Sequence, residues 1–280
     1  MSLGQQHSRA ASLRGLHQGP EILVLPNAWD VLSARLFEEA GFPAVATTSG
    51  GLAAVLGYAD GENIPLEDLF FLVRRIARSI HVPLSVDFER GFSKDPSGVE
   101  QNCRALIDAG GVGMNLEDGT GDGARPLLEV EAQCDKIRAA RAAGASSGVP
   151  LVINARTDLY LRQVGDAAAR ADAAIERGAR YFEAGADCVF VPGVTDKETI
   201  GRLARGLAGP MNVLAMAGSP PVPVLEQLGV RRVTVGSGVL RAAGGFTQRV
   251  ARALHARRGY ESFTEGALSS AELLALLSER

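Results

Sequence analysis

Eight short apolar runs, each followed by a stretch with helical periodicity, constrain this chain more than any other feature of it. They lie at residues 22–25, 44–48, 83–88, 112–117, 151–156, 188–192, 213–216 and 233–236. Most lack two-residue alternation, the pattern of strands buried on both faces of a parallel sheet. Between them, Leu69, Val73, Ile76 and Ile80 form one helical stripe, and 168–184 predicts a long helix with Arg and Glu on its outer face. Gly41, Gly185 and Gly229 stand just before strands, where a helix C-cap belongs. Eight such units in 280 residues predict an α/β fold, a (β/α)8 TIM barrel, which typically takes roughly 250 residues. A doubly wound sheet is the runner-up, because its common form has only about six strands. Residues 1–256 read as one barrel domain. Residues 257–280 read as a C-terminal helical extension whose Leu268, Leu273, Leu274, Leu276 and Leu277 must pack on something, with another subunit as the expected partner.

Charge and composition narrow the partners. A net charge of −3 gives no basic field for nucleic acid or for an anionic membrane. No apolar stretch approaches the roughly 20 residues of a membrane-spanning helix. Residues 1–18 are polar without a continuous apolar core, so they read as a flexible start and not as a secretory signal. Cys103, Cys134 and Cys188 are too few and too scattered for a disulfide framework or a zinc site, and a cytoplasmic protein with reduced thiols is expected.

The ionisable residues gather at the carboxyl ends of successive runs, where parallel α/β folds build their sites. Asp87 and Glu89 end the third run, Glu117 and Asp118 the fourth, and Arg156 the fifth. Acids on adjacent strands repel unless a cation or a proton lies between them. Oxygen ligands suit Mg²⁺, with Mn²⁺ as the substitute, although Glu89 and Arg90 could equally be a solvated loop pair. Arg156 at a strand end suits two-pronged capture of a carboxylate or phosphate, and an ion pair with Glu117 or Asp158 is compatible with that role. Thr47, Thr48, Ser49, Gly50 and Gly51 let backbone amides and hydroxyls come close to an anion. Gly236-Ser237-Gly238, after the eighth run, has the look of a phosphate loop and of any tight turn. Asp60 reads as a turn former, and Trp29 as core or as pocket wall. None of the four histidines falls at a strand's carboxyl end, so no histidine base is expected.

Five segments taken in order, Thr48-Ser49-Gly50-Gly51-Leu52, Leu56-Gly57-Tyr58-Ala59-Asp60, Val86 to Phe92, Leu116-Glu117-Asp118 and Asn154 to Asp158, resemble the isocitrate lyase/phosphoenolpyruvate mutase superfamily across residues 20–255. The resemblance implies a barrel whose last helix is exchanged between the subunits of a homodimer or homotetramer, acting on a small-molecule 2-oxo acid with Mg²⁺. It makes Asp87 the principal metal ligand. Glu89, where many members have Asp, joins it, and Glu117 and Asp60 hold metal-bound waters. Ser49 and Gly50, with Thr48 and Gly51 beside them, grip the carboxylate or oxo group, and Arg156 binds the anionic end. The chain departs from the lyases in the loop after Asp118. Their Lys-Lys/Arg-Cys-Gly-His, which carries the catalytic acid, is replaced by Gly119-Thr120-Gly121-Asp122-Gly123-Ala124-Arg125-Pro126. Pro192-Gly193 and Met216-Ala217-Gly218-Ser219 stand where the lyases have a Glu and an Asn-x-Thr-Glu pattern.

The expectation is therefore a Mg²⁺-dependent lyase cleaving a C–C bond of a small 2-oxo or 2-hydroxy dicarboxylate through an enolate, by decarboxylation or retro-aldol cleavage. Ser49, Gly50, Arg156 and Glu117 would carry the chemistry, and Trp29 would line the pocket. A mutase or hydrolase acting on a C–P bond is the alternative enzyme, and a non-catalytic 2-oxo acid binder is the alternative of another class.

Overall fold

The protein is described by a computed structural model covering residues 1–278. Its strands are β1 (Leu23–Leu25), β2 (Asn27–Ala28), β3 (Val45–Thr47), β4 (Leu84–Asp87), β5 (Gly113–Glu117), β6 (Val152–Arg156), β7 (Cys188–Phe190), β8 (Met211–Leu214) and β9 (Arg232–Thr234). All pairings are parallel, in the order β1-β9-β8-β7-β6-β5-β4-β3-β2. Only Pro26 separates β1 from β2. β1 pairs with β9 and β2 with β3, so the two are halves of one stave and the sheet closes into an eight-stave barrel. Proline has no N–H to give the ladder, which is why this stave is split, while Pro26 O still accepts from Ala46 N at 2.8 Å.

Every one of the eight expected strands is present, and their side chains fill both faces of the wall. Leu25, Val45, Val86, Met114, Leu116, Ile153, Val189 and Val213 are completely or almost completely buried. The helices are α1 (Leu3–Gln18), α2 (Val31–Glu39), α3 (Ser49–Val55), α4 (Leu66–Ser79), α5 (Pro96–Ala109), α6 (Val130–Ser146), α7 (Arg170–Glu183), α8 (Lys197–Gly206), α9 (Val222–Gln227), α10 (Gly238–His255), α11 (Glu261–Thr264) and α12 (Ser270–Leu277). The stripe expected on α4 is the buried one, and the helix expected over 168–184 is α7. Gly41, Gly185 and Gly229 all have positive φ, as caps between helix and strand require.

The start of the chain is not flexible. α1 opens with a capping box between Ser2 and Gln5 and buries Gln6, Ala10, Leu13 and His17. Leu13 lies against Gly113 at the beginning of β5, where a β-carbon on Gly113 would come within 2.6 Å of it. Arg14 is paired with Asp187 at 2.8 Å. α1 therefore covers the amino-terminal end of the barrel, opposite the strand ends that carry the acids.

At the other terminus, α10 stands where the eighth barrel helix belongs, but none of its residues is buried. α12 returns to α2, burying Leu276. There Arg35 donates to the Leu276, Ser79 and Ser278 carbonyls at 2.6, 2.7 and 2.9 Å. Leu273, Leu274 and Leu277 remain exposed. No described helix is long and apolar enough to cross a membrane.

Candidate active site

Parallel register brings the strand ends together. Asp87 on β4 is level with Asn115 on β5, Glu117 on β5 with Arg156 on β6, and Arg156 with Phe190 on β7. Asp87 is tied on both oxygens. Oδ2 accepts from Ser49 N at 3.0 Å, and Oδ1 accepts from Asn115 Nδ2 at 3.1 Å. The amide of Asn115 is oriented in turn by Asn154, whose Nδ2 donates to Asn115 Oδ1 at 2.8 Å. These two buried asparagines are site residues that the sequence reading missed.

The Thr48–Gly51 segment is the first turn of α3, with Thr48 as N-cap, and not an open loop. The Ser49 N–H is committed to Asp87. The Gly50 N–H has no protein partner among the described residues. Asp60 is brought alongside, with Oδ2 3.1 Å from where a β-carbon on Gly50 would lie. Gly51 has no room for a side chain either, because its β-carbon would fall 2.6 Å from Thr48 and 2.7 Å from the Trp29 β-carbon. Trp29 thus backs the turn that carries Ser49 and Gly50. The amides after β9 are engaged elsewhere, since Val235 and Gly236 both donate to Asn27 Oδ1 at 2.9 Å.

Glu89 is nearly buried and held in the left-handed region at φ 47°, a conformation costly for a non-glycine residue and commonest at functional sites. It is not a solvated partner of Arg90. Arg90 pairs with Glu62 at 2.9 Å, and the Glu62 carboxylate also accepts from the backbone N–H groups of Arg90 and Phe92 at 3.0 and 2.7 Å. Burial, reinforced by Asp87, Asp60 and Glu117, raises the Glu89 carboxyl to about 8. Burial also raises Glu117 to about 7, against the pull of Arg156.

Arg156 is gripped from two sides, Nη1 by Glu117 at 2.7 Å and Nε by Asp158 at 2.6 Å, with the Phe190 ring centroid 5.8 Å from its central carbon. Burial would lower its pKa, but Glu117 and Asp158 outweigh that and raise it, so it stays charged. Behind it, fully buried Asp118 accepts from Asp158 N (2.9 Å), Tyr181 OH (2.8 Å) and Arg177 Nη1 (3.2 Å), fixing the segment that aims the guanidinium. The loop that replaces the lyase motif is a short hairpin, with Gly119 bridged to Leu127 and Arg125 left 88% exposed.

The carboxylates of Asp60, Asp87, Glu89, Glu117 and Asp158 thus gather beside Arg156, and Glu89 and Glu117 are driven toward the neutral form. A divalent cation relieves that excess of negative charge. Among the described residues no three His, Cys, Asp or Glu side chains are clustered tightly enough to ligate one ion directly. An ion taking one or two carboxylates and keeping several waters fits that spacing.

The comparisons with known proteins agree with this geometry. The sequence profile described as phosphoenolpyruvate phosphomutase matches residues 13–255. The chain belongs to this family. An uncharacterized protein of Mycobacterium tuberculosis (strain ATCC 25618 / H37Rv) is 35% identical over 81% of this chain and 82% of its own. The 2-methylisocitrate lyase of Escherichia coli (strain K12) is 33% identical over 67% and 64%. The oxaloacetate decarboxylase of Rhodopseudomonas palustris (strain BisB5) is 29% identical over 95% and 91%. Among solved structures, a protein of Burkholderia cenocepacia J2315 named only by class, as a lyase/mutase, superposes with a TM-score of 0.91 at 32% identity, covering 99% of this chain and 98% of that one. A phosphonopyruvate hydrolase in complex with oxalate and Mg²⁺ superposes at 0.83 with 25% identity, covering 96% and 94%. The chain is thus a phosphoenolpyruvate mutase family barrel within the isocitrate lyase/phosphoenolpyruvate mutase superfamily, whose members include lyases and mutases.

Proposed function

We propose that this protein is a Mg²⁺-dependent carbon–carbon lyase, with decarboxylation of a small 2-oxo dicarboxylate of the oxaloacetate type as its reaction. The observation that carries the reading is the Asp87 cluster, an uncompensated group of acids facing Arg156 and the Ser49–Gly50 turn. Asp87 and Glu89 would hold the cation, with Glu117 and Asp60 on its waters, and Mn²⁺ could substitute. The ion supplies positive charge against the oxygens of a 2-oxo acid. Arg156 pairs with the C1 carboxylate, and the Gly50 N–H and Ser49 hydroxyl donate toward the oxo oxygen. When the C3–C4 bond breaks, CO2 leaves, the electron pair forms the C2–C3 double bond, and charge collects on the oxo oxygen. A proton from water then adds at C3. One oriented donor at such an oxygen is worth about 3–4 kcal/mol.

Decarboxylation is favoured over retro-aldol cleavage because its leaving group needs neither acid nor base. That suits a site whose β5 loop carries no Cys, Lys or His between Gly119 and Pro126. The likeness to the oxaloacetate decarboxylase, over 95% of this chain, supports the same choice. The phosphonopyruvate hydrolase fold supports C–P cleavage as a second reading. α10, with Phe246 and Leu254 exposed and no residue buried, supports assembly into a homodimer or homotetramer.

The test is a Mg²⁺-supplemented NMR assay against oxaloacetate, methylisocitrate, dimethylmalate and phosphonopyruvate. Pyruvate appearing from oxaloacetate faster than in the protein-free control is expected. Turnover of phosphonopyruvate alone would replace this reading with the second.

A further inference from the structure

The mouth of the barrel is divided by charge. On the β4–β6 side it carries Asp87, Glu89, Glu117, Arg156 and Asp158. On the β7–β9 side the segments that follow the strands, residues 191–195, 214–225 and 235–240, contain no ionisable side chain at all. Two of the first three charges beyond them are turned to other uses. Asp196 caps α8 by accepting from Thr199 N at 2.8 Å, and Glu226 accepts from Ile22 N at the opposite end of the barrel. Arg241 is exposed on α10. Of the cations on the charged side, Arg90 is paired with Glu62, Arg162 with Asp158, and Arg156 with both Glu117 and Asp158, while Lys94 and Arg125 stand out in solvent. What the neutral side offers instead is Phe190 at the end of β7, Met216 after β8, and Val239 and Leu240 at the start of α10. Leu240 reaches the same Gly51 that Trp29 covers, 3.6 Å from the position of a β-carbon there.

Resting on the reading proposed above, we infer that the substrate has one permanently charged head and, apart from the carboxylate that leaves as CO2, only uncharged, apolar groups at its far end. Its C1 carboxylate and its oxo or hydroxyl oxygen lie on the β3–β6 side, and its remaining substituents meet the wall formed by Phe190, Met216, Val239 and Leu240. A second permanent anion placed against that wall is desolvated with no cation on the segments that follow β7, β8 and β9 to receive it, whereas an alkyl group there gains from leaving water. The same division suits decarboxylation. A carboxylate at C4 is disfavoured on the neutral side, and its conversion to CO2 moves the charge to the oxo oxygen on the other side, where donors wait for it. Specificity then comes from exclusion, because a tricarboxylate brings an anion that the wall cannot pair.

Two 2-oxo acids of matched length separate these possibilities. 2-Oxoglutarate ends in a carboxylate that cannot be lost by this chemistry, and 5-methyl-2-oxohexanoate ends in an isopropyl group of similar shape. With the full-length protein and saturating Mg²⁺, calorimetry is expected to show the neutral acid binding at least about tenfold tighter. Met216→Arg, which adds a cation to the wall, should narrow or reverse that ratio. Equal or tighter binding of 2-oxoglutarate to the wild type overturns the inference, and so does the absence of binding by both acids. The wild-type pair decides the matter even if the variant fails to fold. Oxaloacetate turnover is measured separately on the same preparation. No turnover with the preference intact sinks the lyase reading and leaves the polarity of the site standing.

Discussion

Asp87 is fixed before any ligand arrives, one oxygen on a backbone amide of α3 and the other on the side-chain amide of Asn115. Replacing it by Asn would set the new NH2 against one of those donors and remove the charge that attracts the cation. Asp87→Asn should therefore lower kcat by at least about 10²-fold and abolish Mn²⁺ binding followed by EPR, with the fold unchanged. Activity within threefold of wild type would exclude Asp87 as the centre of the site. Asp87, Glu117 and Arg156 were legible in the sequence because a charge ending an apolar run has few structural reasons to be there. Asn115 and Asn154 were not, since an amide inside a buried run acquires meaning only from the register that sets it beside Asp87. Asp60 could not be placed from its position either, because the path of a loop decides what it meets. Arg232 escaped notice altogether. It is fully buried inside the barrel, 3.5 Å from His17 Nε2 and from Asn115 Oδ1, and its Nε has no hydrogen-bond partner among the described residues. Burial, helped by this cation, lowers His17 to about 4. Arg232→Met should let the His17 titration rise part of the way toward the ordinary value of about 6.5, read by imidazole NMR shifts. An unmoved titration would mean that burial alone holds it down.

At the scale of elements, the sequence showed what a hydrophobic pattern can show. α4 was legible because Leu69, Val73 and Ile76 make an unbroken stripe. α1 was not, because half of its buried face is polar: Gln6 donates to the Ile107 carbonyl at 2.5 Å, and His17 sits over the barrel floor. Its one readable signal was the Ser2–Gln5 capping box. α10 presents the reverse problem, since an amphipathic pattern announces an apolar face without saying what covers it. α1 should be integral to the barrel. Leu13 is completely buried against β5, so Leu13→Ala should cost about 2–5 kcal/mol in urea unfolding, as deletion of a core leucine does. A cost below about 1 kcal/mol would mean that α1 is an appendage. His17 adds a pH signature to the same element. Its folded pKa lies below the unfolded one, so the stability it contributes is present above about pH 6.5 and is lost as the pH falls toward 4.

For the molecule as a whole, the acids at the mouth act in the opposite direction, and the contrast gives a test of the cation. Glu89 and Glu117 have folded pKa values of about 8 and about 7, both raised from an ordinary 4.5. Between those limits the folded state holds protons that the unfolded state has released. Stability therefore falls as the pH rises, and the loss is complete above pH 8. Below pH 6.5 this decline is offset in part by the gain from His17; above it the carboxyls act alone. Metal-free protein should thus melt at progressively lower temperature from pH 6.5 to pH 8.5. A divalent cation bound at Asp87 and Glu89 competes with those protons and binds only the folded state, so its stabilisation should grow over the same interval. Melting curves in EDTA and in millimolar Mg²⁺ should accordingly lie close together at pH 5.5 and separate steadily by pH 8.5. In Glu89→Gln the decline in EDTA should be shallower, because the group with the higher pKa is gone. Parallel curves with and without Mg²⁺ across the whole range would show that the acids of this mouth do not share a cation.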